Sequence, residues 1–113
     1  MSKKEIIKKG DVYWVDLNPA IGSETNKIRL ALIISNDNQN KLSSRVIVIP
    51  ITSNTTKLYP FEAKIKLEGK DAKAMTDQIR TIDKSRLKQY IETLNKADLK
   101  EVEKAIKISL SLE

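Results

Sequence analysis

Phe61-Glu62-Ala63-Lys64-Ile65-Lys66-Leu67, followed by Glu68-Gly69-Lys70-Asp71, alternates apolar and charged residues without a break and then turns. Phe61, Ala63, Ile65 and Leu67 fall on one side; Glu62, Lys64 and Lys66 fall on the other. That is the pattern of an antiparallel strand with one wet face. After the turn, Ala72 to Ile82 returns as a further strand. Upstream, Leu30 to Ile34 and Val46 to Ile51 are short continuous apolar runs, the second rich in β-branched residues, as central strands are. Ser35-Asn36-Asp37-Asn38 ends the first of these. Asp11 to Leu17 reads as the opening strand, with Val12 and Trp14 on one face and Tyr13, Val15 and Leu17 on the other. Apolar residues on both faces predict burial on both sides, Trp14 included.

Asn18-Pro19 stops that strand, and Ala20 to Lys27 is a polar loop. Two helices are predicted at the C-terminal end. Asp83 or Lys84 opens the first, which carries Leu87, Tyr90, Ile91 and Leu94. Asn95 caps the second, with Asp98 near its positive N-terminal end. Leu99, Val102, Ile106 and Leu110 repeat there at helical spacing, with Lys100, Glu101, Lys104 and Lys107 outside, a stripe suited to packing against the strands. Strands first and helices last describe a mainly β (α+β) fold: a small twisted barrel closed by a C-terminal helix. At 113 residues the expected organisation is one domain, 1–113.

The chain has no cysteine and no histidine. Disulfides, thiolate metal sites, imidazole general acid–base chemistry and imidazole zinc ligation are thereby excluded. No apolar run is long enough to span a bilayer and no signal-peptide pattern is present, so a cytoplasmic protein without membrane contact is expected. The formal net charge of +6 favours a polyanionic partner, nucleic acid or an acidic protein. Solubility alone is the plainer account of such a charge. Lysines are spread along the chain, so a binding face must be assembled by the fold.

Asp77-Gln78-Ile79-Arg80-Thr81-Ile82-Asp83 is too polar for a core strand, because buried charge without a partner is costly. It reads as a lined surface that holds a polar ligand. Taken with the strand runs it completes an ordered series: Gly10 to Pro19, Gly22-Ser23-Glu24, Lys27 to Ser35, Val46 to Ser53, and Asp77 to Asp83. In order and spacing this series closely resembles the MazF/PemK/Kid family, sequence-selective ribonuclease toxins of bacterial toxin–antitoxin pairs. The resemblance runs from about Gly10 to Leu112. It implies an SH3-like barrel of the kind shared with the gyrase poison CcdB. It also implies a homodimer with single-stranded RNA, chiefly messenger RNA, lying across the interface, and an antitoxin whose acidic tail covers the RNA groove.

Two routes of RNA cleavage are open to such residues. Clustered carboxylates could hold magnesium and activate water, but the acids are thinly scattered and no close acidic pair lies at a predicted strand end. The other route lets the RNA's 2′-OH attack the neighbouring phosphate, leaving a 2′,3′-cyclic phosphate and a 5′-hydroxyl, with no metal or cofactor. It needs a cation beside the phosphate, which a guanidinium provides through paired N–H donors. Arg29, where the polar loop becomes a strand, is the first candidate, and the resemblance makes the Arg at this position catalytic. The family usually has Pro after it; here Leu30 follows, leaving a backbone N–H and a less restricted φ.

Thr52, after Pro50-Ile51, could bond a phosphoryl oxygen or hold Arg29, and the resemblance likewise implies a functional Thr there. Taken alone, Thr52 reads as an ordinary strand residue. Ser53 is its neighbour and a weaker candidate. Arginine, with a pKa above about 12, is a poor base for a 2′-OH, so Glu24 is the candidate proton acceptor, with Asp77 in reserve. Asp77, Gln78 and Arg80 suit the exposed edges of unpaired bases, and the resemblance places their strand beside the RNA groove; surface ion pairing and a helix cap at Asp83 are the plainer reading. Tyr59, before Pro60, is the stacking candidate, while Trp14 and Phe61 are expected in the core. The competing functions are a CcdB-like gyrase poison and a non-catalytic RNA-binding barrel. Arg29→Ala separates these from an enzyme.

Overall fold

The computed structural model describes residues 6–17 and 28–113. Strands β1 (Asp11–Asp16), β2 (Ile28–Ile33) and β3 (Arg45–Thr52) form the centre. Around them lie β4 (Ala63–Leu67), β5 (Lys70–Ala74), β6 (Arg80–Asp83) and β7 (Leu87–Thr93). All the pairings are antiparallel, in the order β4-β5-β3-β2-β1-β7, with β6 also on β3. Helix α1 (Asp37–Leu42) links β2 to β3, and α2 (Lys96–Leu110) follows β7. The result is a curled sheet, a half-barrel, with a C-terminal helix against it, as the sequence predicts.

The centre strands bury both faces because both carry apolar side chains. Val12, Leu32, Ile49 and Ile51 join Ala63, Ile65, Leu67, Ala72 and Ala74 in one cluster, which Val102 and Ala105 of α2 complete. Tyr13, Val15, Ala31, Ile33, Val46 and Val48 point the other way and pack with Leu17, Ile82 and Leu87. The β4–β5 hairpin turns at Glu68 and Gly69, both at positive φ (50° and 77°), as a two-residue hairpin loop requires. Asn95 caps α2 as expected, its side chain accepting from the Asp98 N–H at 2.8 Å. Asn95→Ala will therefore cost about 1 kcal/mol of stability in urea unfolding; an unchanged midpoint would show the cap is dispensable.

Four expectations are corrected. The first predicted helix is absent: Lys84–Arg86 form a 3-10 turn, capped by Asp83 through the Ser85 N–H at 2.8 Å, and Leu87–Thr93 is strand β7. The open edge of β1 takes it as a partner, from Val15↔Leu87 to Asp11↔Thr93, and this tertiary pairing overrides a weak local preference. The short helix α1 was hidden in the polar run after β2; Asn36 caps it, accepting from the Gln39 N–H. Leu110, expected in the packing stripe, is exposed near the end of α2.

The fourth is the predicted strand Ala72–Ile82, which is broken into β5 and β6 by a 3-10 turn, Thr76–Gln78. Both halves pair with β3, but out of step. At the register that sets Ile51 against Ala74, Val48 would meet Asp77; it meets Arg80, three residues on. Pro50 accounts for the break. Its C=O accepts from the Met75 N–H at 2.9 Å, so that edge of Pro50 faces the β5–β6 side, where proline has no N–H to offer. The ladder lapses there without orphaning a donor, and the chain spends the slack in the turn.

Candidate functional site

The β1–β2 ladder reaches Val15↔Arg29 and Asp16↔Ile28, while the β2–β3 ladder stops at Ala31↔Pro50. Two residues further along that same register, Arg29 stands opposite Thr52. The strands part at this point, and a groove of about 370 Å³ opens between them and the tip of the β4–β5 hairpin. Arg29, Thr52 and Ser53 line it together with Trp14, Lys70 and Asp71. Arg29 and Thr52 are half-buried and Ser53 is exposed. Thr52 Oγ1 accepts from the Asn54 N–H at 3.2 Å, which fixes the hydroxyl at the strand end. The lining carries two cationic residues, Arg29 and Lys70, two acidic ones, Glu68 and Asp71, and the hydroxyls of Thr52 and Ser53; a guanidinium and a hydroxyl together can hold a phosphate.

Asp71, on the rim, bonds Lys66 at 2.7 Å and lies 3.5 Å from Lys64. The Lys66 hydrogen bond, aided by the Lys64 charge, holds the Asp71 carboxyl below the usual carboxylate range, and the same bond raises Lys66. At Asp83 the Ser85 N–H has the same lowering effect.

Arg80, paired with Val48, points to the same face of the sheet as Arg29 and Thr52 by strand alternation. Its Nη1 donates to the Leu17 carbonyl at 3.4 Å, and Arg86 Nη1 donates to the Asp16 carbonyl at 3.0 Å. Two arginines therefore hold the end of β1, from which the chain leaves toward Arg29. Asp77 (exposed) and Gln78 (half-buried) sit in the 3-10 turn and do not line the groove. Glu24 lies outside the described residues.

Tyr59 is exposed, as a stacking residue must be, and lies flat on Phe61, with ring centroids 5.2 Å apart and an interplanar angle of 5°. Phe61 is consequently not a core residue: it precedes β4 and spends its face on Tyr59. Trp14 is not core either. At 38% exposure it forms a wall of the groove. Alternation alone put it inside; the signal that it faces a gap is the short reach of the β2–β3 ladder, which only the fold shows. Sequence reasoning also missed Lys73, buried on β5, and placed Glu62 on the wet face; instead the Glu62 side chain is buried, drawn in by its 2.9 Å ion pair with Lys73.

The chain is thus a half-barrel whose groove opens at a strand fork lined by Arg29 and Thr52. The chain superimposes on the crystal structure of MazF from Deinococcus radiodurans with a TM-score of 0.84 at 25% identity, covering 96% of this chain and 100% of that one. An endoribonuclease in complex with its cognate antitoxin from a mycobacterial species shares the fold, with a TM-score of 0.77 at 21% identity over 97% and 98% of the two chains. Residues 8–110 match the family described as PemK-like, MazF-like toxin of type II toxin–antitoxin system, and the chain belongs to that family. Among its relatives, endoribonuclease MazF of Staphylococcus saprophyticus is 43% identical, covering 95% of this chain and 93% of the relative. Endoribonuclease MazF9 of Mycobacterium tuberculosis is 36% identical over 95% and 98%.

Proposed function

We propose that this toxin is an endoribonuclease that cuts single-stranded RNA, chiefly messenger RNA, at a short sequence and without a metal ion. The observation that carries the reading is the register placing Arg29 opposite Thr52 at the mouth of a groove in a basic protein. The relatives named endoribonuclease MazF support the same activity. Arg29 stabilises charge on the phosphate as the 2′-OH attacks, Thr52 holds a phosphoryl oxygen, and Glu24 accepts the 2′-OH proton. The products are a 2′,3′-cyclic phosphate and a 5′-hydroxyl. Ser53, Tyr59, Asp77, Gln78 and Arg80 contact the RNA. For Asp77 and Gln78, which stand off the groove of one chain, this requires RNA running beyond it, as it would across a homodimer. An acidic antitoxin segment would neutralise the toxin by occupying the same basic surface. The setting is a single cytoplasmic domain, 1–113.

The test is incubation of the purified protein with a long unstructured RNA in EDTA, with the 5′ ends of the products mapped. Discrete cuts at one motif with 5′-hydroxyl ends are expected; intact RNA would overturn the reading. In the same assay Glu24→Gln will cut roughly 10²-fold more slowly or worse and will lose the acidic limb of the pH profile. A parental rate and profile would remove Glu24 from the mechanism.

A further inference from the structure

Thr52 pairs with Lys73 across β3 and β5, so the two side chains share a face one strand apart. Whatever Lys73 holds therefore lies beside the groove. Lys73 Nζ donates to Glu62 Oε1 at 2.9 Å and to the Lys57 carbonyl at 2.7 Å. The Lys73 and Glu62 side chains are only 10% and 6% exposed. The same Glu62 oxygen accepts from the Tyr59 N–H at 3.0 Å, while the Glu62 N–H donates to the Tyr59 carbonyl at 2.9 Å.

One ion pair thus ties a segment without helix or strand, 57–62, to β5. What it carries is the Tyr59–Phe61 stack, with Tyr59 42% exposed and the ammonium groups of Lys57 and Lys73 at 5.6 and 6.0 Å from the Tyr59 ring centroid. A buried ion pair gives little net stability, since desolvation offsets the attraction; its distinct product here is a fixed position. A half-exposed tyrosine ring with ammonium groups over it, one strand from Thr52, is suited to an unpaired base and its backbone.

We propose that the Lys73–Glu62 pair is a positioning latch that presents Tyr59 as the stacking platform for one unpaired RNA base, and so sets preference at one position of the recognised sequence. This rests on the reading of the protein as an RNA-directed toxin. It is tested by binding rather than cutting: a random-sequence single-stranded RNA pool is selected on Arg29→Ala protein, and the enriched sequences are compared across variants. Tyr59→Ala, at an exposed site, will bind the enriched RNA roughly 5- to 100-fold more weakly and lose base preference at one position. Tyr59→Phe will keep that preference. The double variant Glu62→Gln/Lys73→Met, which removes both charges together, will lose preference at the same position and keep it elsewhere.

Retention of the full preference by the double variant would overturn the latch. So would a uniform loss over all positions, the mark of a merely structural role. No enrichment by Arg29→Ala protein would overturn the platform as well. Failure of the parent to cut RNA, with position-specific enrichment intact, would instead sink the catalytic reading and leave the latch standing.

Discussion

Arg29→Ala will lower the rate of RNA cleavage by roughly 10²–10³-fold, the cost of removing a preorganised donor aimed at developing charge, with a much smaller loss of RNA affinity. The expectation follows from where the residue stands. Arg29 is anchored in one ladder, directly opposite Val15 of β1, and stands in register with Thr52 just past the last β2–β3 pair. Its backbone is therefore held by the β1–β2 ladder at a position that lines the groove. Arg29→Lys will recover only a small part of the rate, since an ammonium keeps the charge but not the planar fork of donors. The measurement is single-turnover cleavage of a short oligonucleotide carrying the mapped motif, with affinity taken separately. Equal losses in binding and cutting would make Arg29 a binding residue and move the charge-stabilising role elsewhere.

Leu32→Ala will destabilise the protein by about 2–5 kcal/mol, a large share of the roughly 5–15 kcal/mol available to a domain of this size. Leu32 is fully buried and sits in the middle of three strands, flanked by Val12 of β1 and Ile49 of β3. Beyond it the same cluster includes Val102 and Ala105 of α2. Truncation opens a cavity between sheet and helix that neither can easily close, because the opposite face of the same strands is packed by the second cluster. Leu32→Ile, which conserves volume, will cost less than about 1.5 kcal/mol. Urea unfolding of both variants checks the pair. A loss under about 1 kcal/mol for the alanine variant would mean that α2 settles onto the sheet and that the two faces are not locked together.

The strands were legible wherever the pattern was local. Of the alternation read over Phe61–Leu67 the stretch Ala63–Leu67 forms β4, the run Leu30–Ile34 lies in β2 as far as Ile33, and Val46–Ile51 lies in β3, because burial on one face or on both leaves a distinct trace. Asn95 was legible as a cap for the same reason. What escaped depended on partners distant in sequence. Leu87–Thr93 is a strand because β1 has an edge to fill, and residues 76–78 turn because Pro50, more than twenty residues earlier, has no N–H to give. The site divides similarly. Arg29, Thr52 and Ser53 line one groove, while Trp14 was misplaced because alternation says which face a residue takes and not whether that face is covered. Lys73 looked like any lysine on a hairpin until the 57–62 segment was seen folded over it.

The lapse at Pro50 has a mechanical consequence. The β1–β2 side of the groove is secured by five residue pairs, whereas the β4–β5 hairpin meets β3 through two pairs, Ile51↔Ala74 and Thr52↔Lys73. The groove accordingly has one stiff jaw and one compliant jaw. The stiff jaw bears Arg29, the residue proposed to stabilise charge on the phosphate. The jaw with fewer pairs bears Lys70 and Asp71, near the tip of the hairpin.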